Sequence, residues 1–273
     1  MSGSPRKFSH KTARAAPAPP GREDTSLSPG VAFMRATAYP DMATTDQLRG
    51  VPHPPLELPL PPEARRYPLP EPGSIEVAQV AVRDALEWWE PSGFLGRTSL
   101  DLVDLSYLLW YTQGVRELVD DQVTLRQVPS CGNRHPLETY LVVSGVGGIP
   151  EGLYRYQPLE HTLALLKPDT CLVSAFAAAC MNVPAAHVAP VTFAWTAVPY
   201  RAVWGLGDRG NRGVLIDAGH VCQALVMTAA SLACEVRPID LFHDELANRL
   251  LGCDGVNEYA VLMAAVGRRE GRL

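Results

Sequence analysis

The chain predicts an α+β fold, a mixed sheet flanked by helices, with an extended proline-rich arm in front of it. Three observations lead there. After residue 74, short runs rich in β-branched and aromatic residues alternate with longer helical periodicities, the pattern of helices layered on a sheet. One of the helical runs, 214–233, is apolar nearly all round and so belongs in a core or an oligomer interface. Finally, 15 of the 25 prolines fall before residue 74. Proline lacks a backbone donor and biases its predecessor away from the helical region, so that stretch does not read as a packed layer.

The elements follow in order. The first 30 residues read as a flexible tail. The stretch 51–71, with prolines at 52, 54, 55, 59, 61, 62, 68 and 70, reads as extended or polyproline-like. Residues 1–73 are therefore assigned to a flexible arm and 74–273 to one domain; an arm wrapped across a partner subunit is the other reading of the first block. Ser74 is placed to cap a helix carrying Ile75, Val77, Val80, Ala81 and Leu86. Ser99 is placed to cap a second, with Leu102, Leu105, Leu109 and Trp110, ending at Gly114. ETYLVV at 138–143 is a strand, and GLYRY at 152–156 and TLALL at 162–166 form a hairpin around QPLEH. An alanine-rich helix at 171–181, a strand at 191–198 and the apolar helix at 214–233 come next. Strands at 235–240 and 259–266 close the domain, with a helix at 244–251 between them.

Composition excludes several classes. The formal charge of −5 argues against tracking nucleic-acid phosphates. No apolar run reaches the roughly 18 residues that span a bilayer, and the N-terminus lacks a secretory apolar segment. No cysteine pair has C-x-x-C or metal-ligand spacing, so no metal is expected, and the six thiols fit a reduced, cytoplasmic setting. Of 24 basic residues only Lys7, Lys11 and Lys167 are lysine.

Four segments can carry chemistry. The loop 128–136, VPSCGNRHP, gathers a hydroxyl, a guanidinium and backbone donors before a strand, which suits a phosphate or a heterocycle edge, or is a plain connection. In IDAGH, Ala218 and Gly219 permit close approach of a helix or ligand, and His220 is a base or a packed histidine. GLGDRGNRG at 205–213 reads as a mobile or tightly turned loop, with Asp208 in it and arginines to bind anions or anchor it. Arg268 and Arg269, leaving the last strand, are placed to clamp a phosphate or to form a basic tail.

Taken together, PSCGNRHPLETYLVV, EGLYRYQPLEHTLALL, GDRGNRGVLIDAGHVCQALVMTAASL and the segment from about 240 to 267 resemble, in order and spacing, the SagB-type dehydrogenase branch of the FMN-dependent nitroreductase superfamily, which includes peptide azoline oxidases. FSHKT near the N-terminus resembles that branch's opening histidine–threonine motif. The resemblance implies a nitroreductase-like homodimer with FMN at the subunit interface, held against Pro129, Ser130, Gly132, Arg134, Pro136 and Gly219, with Arg268 and Arg269 for its phosphate. It implies an oxidoreductase acting on a peptide-derived or carrier-bound substrate in natural-product biosynthesis. The alternatives are a non-catalytic homologue serving as scaffold for a maturation enzyme, and an NAD(P)H-dependent nitro- or quinone reductase. Two departures stand out. The branch's arginine-arginine-serine run is absent near EWWEPS at 87–92, leaving Arg83, Arg97, Arg268 or Arg269 to take its place. The branch's lysine–tyrosine pair appears here as Gly205-Leu206, which leaves Tyr200, Asp208, His220 and Tyr154 as candidate proton-handling residues.

Overall fold

The computed structural model describes residues 28–39, 44–90 and 95–269. It divides into a unit ending at Ala36 and a unit from Thr37 onward; the first contains a helix, α1 (Pro29–Ala36). The FSHKT motif lies outside the described residues.

In the second unit, seven strands form one sheet: β1 (Arg65–Pro68), β4 (Leu137–Val143), β5 (Gly152–Gln157), β6 (Thr162–Pro168), β7 (Val191–Ala197), β8 (Cys234–Ile239) and β9 (Tyr259–Arg268), in the order β1-β6-β5-β4-β7-β9-β8. Every neighbouring pair is antiparallel. A separate hairpin joins β2 (Val115–Val119) and β3 (Val123–Arg126). The helices are α2 (Val82–Trp88), α3 (Leu102–Gln113), α4 (Leu172–Ala179), α5 (Pro184–Val188), α6 (Pro199–Leu206), α7 (Gly210–Ala230) and α8 (Asp244–Leu251).

Side chains alternate across a strand, and the central strands use both faces. Leu141, Val143, Phe193, Trp195, Ala264 and Val266 join the core beneath α3 and α7. Tyr140, Val142, Ala194, Met263 and Ala265 join the core beneath α4, α5 and α8. Burial on both sides explains why β4 and β7 lack the alternation of a half-exposed strand, with even Glu138, Thr139, Thr192 and Thr196 buried.

The expected strands at 138–143, 152–156, 162–166, 191–198, 235–240 and 259–266 are present within a residue or two, as is the helix at 244–251. Two helix starts differ, and one loop takes the second of its two readings. Pro72–Ser74 is a single 3-10 turn and the helix begins at Val82, because Ser74 turns its hydroxyl back to the Glu71 carbonyl and caps nothing ahead of it. The second helix is capped by Asp101, not Ser99: the Asp101 carboxylate accepts from Asp104 N at 2.8 Å and the Asp104 carboxylate accepts from Asp101 N at 3.1 Å, a reciprocal pair that satisfies two end donors. Of the two readings of 205–213 the tightly turned one fits: it is the junction of α6 and α7, with a 3-10 turn at Gly207–Arg209. Gly205, Gly210 and Gly213 serve packing, and Gly207 has φ +56°.

From residue 44 the stretch expected as a free arm is laid on the domain by hydrogen bonds to its backbone, because prolines remove donors but leave carbonyls to be satisfied. Trp204 Nε1 donates to Val51 O at 2.9 Å, Arg201 Nε to Pro55 O at 2.8 Å, and Arg155 Nη2 to Leu58 O and Pro59 O at 2.8 and 2.6 Å. Beneath it, Arg201 Nη2 meets Glu138 Oε1 at 2.5 Å, both side chains 3% exposed, and the same oxygen accepts from Leu58 N. The segment then becomes β1, the edge strand on β6.

Candidate functional site

The loop 128–136 enters β4 from the outer end of the sheet and docks on the first turns of α7. One buried carboxylate organises it. Asp217 accepts from Ser130 Oγ at 2.5 Å and from Cys131 N at 2.9 Å, and Ser130 Oγ in turn accepts from His135 N at 2.8 Å. The docking requires glycine at 213: a β-carbon there would stand 2.9 Å from Cys131 Cβ. The loop also carries backbone strain, with Gly132, Asn133 and His135 at φ +63°, +54° and +44°. Left-handed conformations at two non-glycine residues persist only where surrounding contacts impose them, and they concentrate at functional sites.

His135 is buried, its Nε2 2.9 Å from Asn133 Oδ1. Burial, with the Arg126 guanidinium nearby, pushes its pKa down to about 3. It is therefore a neutral packing group at physiological pH. Cys131 has its thiol pKa raised, by burial and by the adjacent Asp217, which keeps it protonated and unreactive.

Arg134 leaves the loop on the other side. Its guanidinium lies 5.0 Å over the Trp204 ring and its Nη2 donates to Gln47 Oε1 at 3.3 Å. Gln47 N caps α6 by donating to Trp204 O at 2.9 Å. Tyr200, exposed on the first turn of α6, donates its hydroxyl to Asp46 Oδ2 at 3.0 Å, an arrangement that raises the phenol pKa. Tyr200 is therefore a hydrogen-bond donor and a weak proton source, and Asp46 is the carboxylate beside it.

The remaining expected residues are dispersed. Pro129 and Pro136 flank the loop. Asp208 is exposed in the α6–α7 junction, where its carbonyl accepts from Asn211 Nδ2. On α7, His220 sits one turn after Asp217, with Nδ1 3.8 Å from Asp217 Oδ1, buried and without a hydrogen-bond partner. A β-carbon on Gly219 would have nothing within 4 Å, and Leu215 and Ile216 nearby are 57% and 50% exposed. At the far end of β9, Arg268 Nη2 pairs with Asp104 at 2.6 Å, and Arg269 pairs with Glu235 at 3.4 Å while stacking over Trp88 at 4.5 Å. Both guanidiniums expected to clamp a phosphate thus already hold carboxylates. Arg97, exposed, lies two residues from the bridge between Leu95 and Arg269. Among the described residues no group of acidic, histidine or cysteine side chains could hold a metal.

Sequence reasoning passed over Asp217, Gln47, Trp204 and the packing role of Gly205. Asp217 lay inside a segment singled out for its glycine and histidine, yet its partners are 86 and 87 residues away.

Gly132 on the loop and Leu215, Ile216 and Gly219 on α7 are exposed, whereas His220 Nδ1 is buried beside Asp217.

Comparisons with known proteins give the family. Residues 95–268 match the Nitroreductase family. The chain is 32% identical over 170 residues, 62% of its own length and 82% of the relative's, to a nitroreductase-named protein of Methanocaldococcus jannaschii. It is 27% identical over 178 residues to the trifolitoxin-processing protein TfxB of Rhizobium leguminosarum bv. trifolii, covering 63% of this chain and 48% of that one. A chain of the E. coli microcin synthetase McbBCD complex, solved with truncated pro-MccB17 bound, superposes with a TM-score of 0.57 at 16% identity, covering 74% of this chain and 77% of that one.

Proposed function

Because the chain belongs to the nitroreductase family, whose members are generally flavin-dependent oxidoreductases, we propose that it is an FMN-dependent oxidoreductase of the SagB-like branch, acting on a peptide-derived or carrier-bound substrate in natural-product biosynthesis. The observation that carries the reading is the loop 128–136, held in a strained shape by Asp217 against the start of α7. The similarity to TfxB, a toxin-processing protein, and to a chain of a microcin synthetase holding a peptide supports the substrate class.

In this reading FMN supplies the acceptor for a hydride, and the chain supplies binding, orientation and polarity. Gly132 and Gly219 allow close backbone approach to the ring; Pro129 and Pro136 fix the loop ends. Ser130 positions the loop: its one proton is already given to Asp217. His220, its Nδ1 buried beside Asp217 and its side chain 39% exposed, has only its outer edge to offer the ring or the substrate. Arg97 joins Arg268 at the phosphate, since Arg268 and Arg269 are partly neutralised by Asp104 and Glu235. Leu215 and Ile216 on α7 form the face that a second copy covers, so the working protein is a homodimer.

The test is anaerobic mixing of the flavin-loaded protein with an azoline-containing peptide, with a carrier-linked aminoacyl thioester, and with NAD(P)H. The proposal expects one of the first two to bleach the flavin and NAD(P)H to do so slowly or not at all. Rapid bleaching by NAD(P)H alone assigns the chain to the reductases; no bleaching by any donor contradicts the oxidoreductase reading.

A further inference from the structure

Arg134 is a half-buried cation without an anion. Its neighbours in kind are differently placed: Arg201 holds Glu138, Arg268 holds Asp104 and Arg269 holds Glu235. Among the described residues no carboxylate lies within ion-pair distance of Arg134, and its Nε is buried with no hydrogen-bond partner. Its one hydrogen bond runs from Nη2 to the neutral Gln47 Oε1, at 3.3 Å. The closest carboxylate on the same turn, Asp46, is turned to Arg49 and Tyr200.

The surroundings hold the guanidinium in place. Its face lies on Trp204, whose other contacts include the edge of the His53 ring at 4.8 Å. Gly205 leaves the room: a β-carbon there would stand 2.9 Å from Arg134 Nε and 3.0 Å from Gln47 Oε1. Nε and Nη2 form the side-on edge of a guanidinium, the edge that takes a carboxylate through two parallel bonds. Here one of the two donors is empty and the other holds an amide oxygen at the long end of the range. Every unsatisfied buried donor in a folded chain calls for an explanation, and an absent ligand is one.

From this geometry we infer that Arg134 is a carboxylate-binding residue, that its side-on edge takes an organic carboxylate, and that Gln47, on the turn 45–51, is the placeholder the carboxylate displaces. Trp204 holds the guanidinium plane in place, and Gly205, with no β-carbon, leaves Nε and Gln47 unobstructed by a side chain. The residue thus serves a substrate carboxylate, not the flavin. Naming that carboxylate as a peptide's C-terminus or acidic side chain rests on the function proposed above; the binding does not.

Calorimetric titration of the full chain tests this, with and without saturating FMN. The probes are N-acetylglycylglycine, its C-terminal amide, and N-acetylglutamate α-amide. At least one carboxylate probe is expected to saturate, with the uncharged amide weaker by about tenfold or more. Whichever acid binds tells a C-terminal from a side-chain carboxylate. Arg134→Gln abolishes the signal, Gln47→Ala tightens it several-fold, and Gln47→Glu, which supplies an internal carboxylate, blocks it. Gln47 lies on an exposed turn, so these two variants report even where Arg134→Gln melts early. Absence of saturation by both acids, or a titration unchanged in Gln47→Glu, overturns the inference. Carboxylate binding by a chain that takes up no flavin leaves it standing while the oxidoreductase reading fails.

Discussion

Two side chains set the candidate site, and neither acts by reactivity. Asp217 holds Ser130 and the Cys131 amide; Asp217→Ala leaves a backbone donor and a hydroxyl unpartnered. Such losses cost about 1–3 kcal/mol each, so the variant should melt earlier in thermal unfolding and bind flavin more weakly. His135 gives a pH signature. Its folded pKa, about 3, lies below the ordinary 6.5, so between those values the unfolded chain takes up a proton that the folded chain refuses. Stability contributed by neutral His135 is present above about pH 6.5 and falls as pH drops toward 3, with a slope of up to about 1.4 kcal/mol per pH unit. Urea unfolding across this range should show that slope reduced by one proton in His135→Asn, a residue that tolerates the left-handed backbone. An unchanged slope would contradict the assignment. At this scale the sequence marked the loop but not its anchor: a residue pair 87 positions apart leaves no local pattern.

Among the elements, strands were legible where β-branched, aromatic and aliphatic residues dominate a short run, as in ETYLVV and VTFAWTA. Helix starts were less so, because Ser74 and Ser99 satisfy the capping pattern, while Ser74 bonds back to Glu71 and the reciprocal Asp101–Asp104 pair caps the second helix two residues past Ser99. The glycines of 205–213 left mobility and a tight turn equally open, because close helix crossing and loop docking, which also demand glycine, are invisible without the segments packed against them. The proline-rich stretch hid its attachment in the same way. Its carbonyls are held by Arg155, Arg201 and Trp204, with Glu138 beneath. Glu138→Gln strands Arg201 in the core and should cost about 3–5 kcal/mol, measured by urea unfolding at fixed protein concentration. A loss below about 1 kcal/mol would show that the strap is held chiefly by its neutral bonds.

For the whole molecule, the run 199–230 contains an 18-residue window apolar enough to cross a membrane by composition, yet 56% of that window is buried in the fold. What stays uncovered on α7 is Leu215, Ile216 and the bare Gly219. If a second copy covers this face, Leu215→Glu with Ile216→Glu should shift the protein from dimer to monomer in analytical ultracentrifugation and release flavin with it; a wild-type monomer at working concentrations would contradict the shared site. The scarcity of lysine, first a matter of composition, narrows the chemistry too: Lys167, the one lysine among the described residues, pairs with Asp169 at 2.7 Å on β6 and the turn after it. The measurement that bears most directly on the central claim is an equilibrium titration of the purified chain with FMN, followed by visible absorbance and by mass analysis of the released chromophore. The account predicts saturable uptake of one FMN per chain, with the bands of protein-bound oxidised flavin, and uptake about tenfold or more weaker in Asp217→Ala. A folded, dimeric wild-type protein that stays colourless at saturating FMN would contradict it.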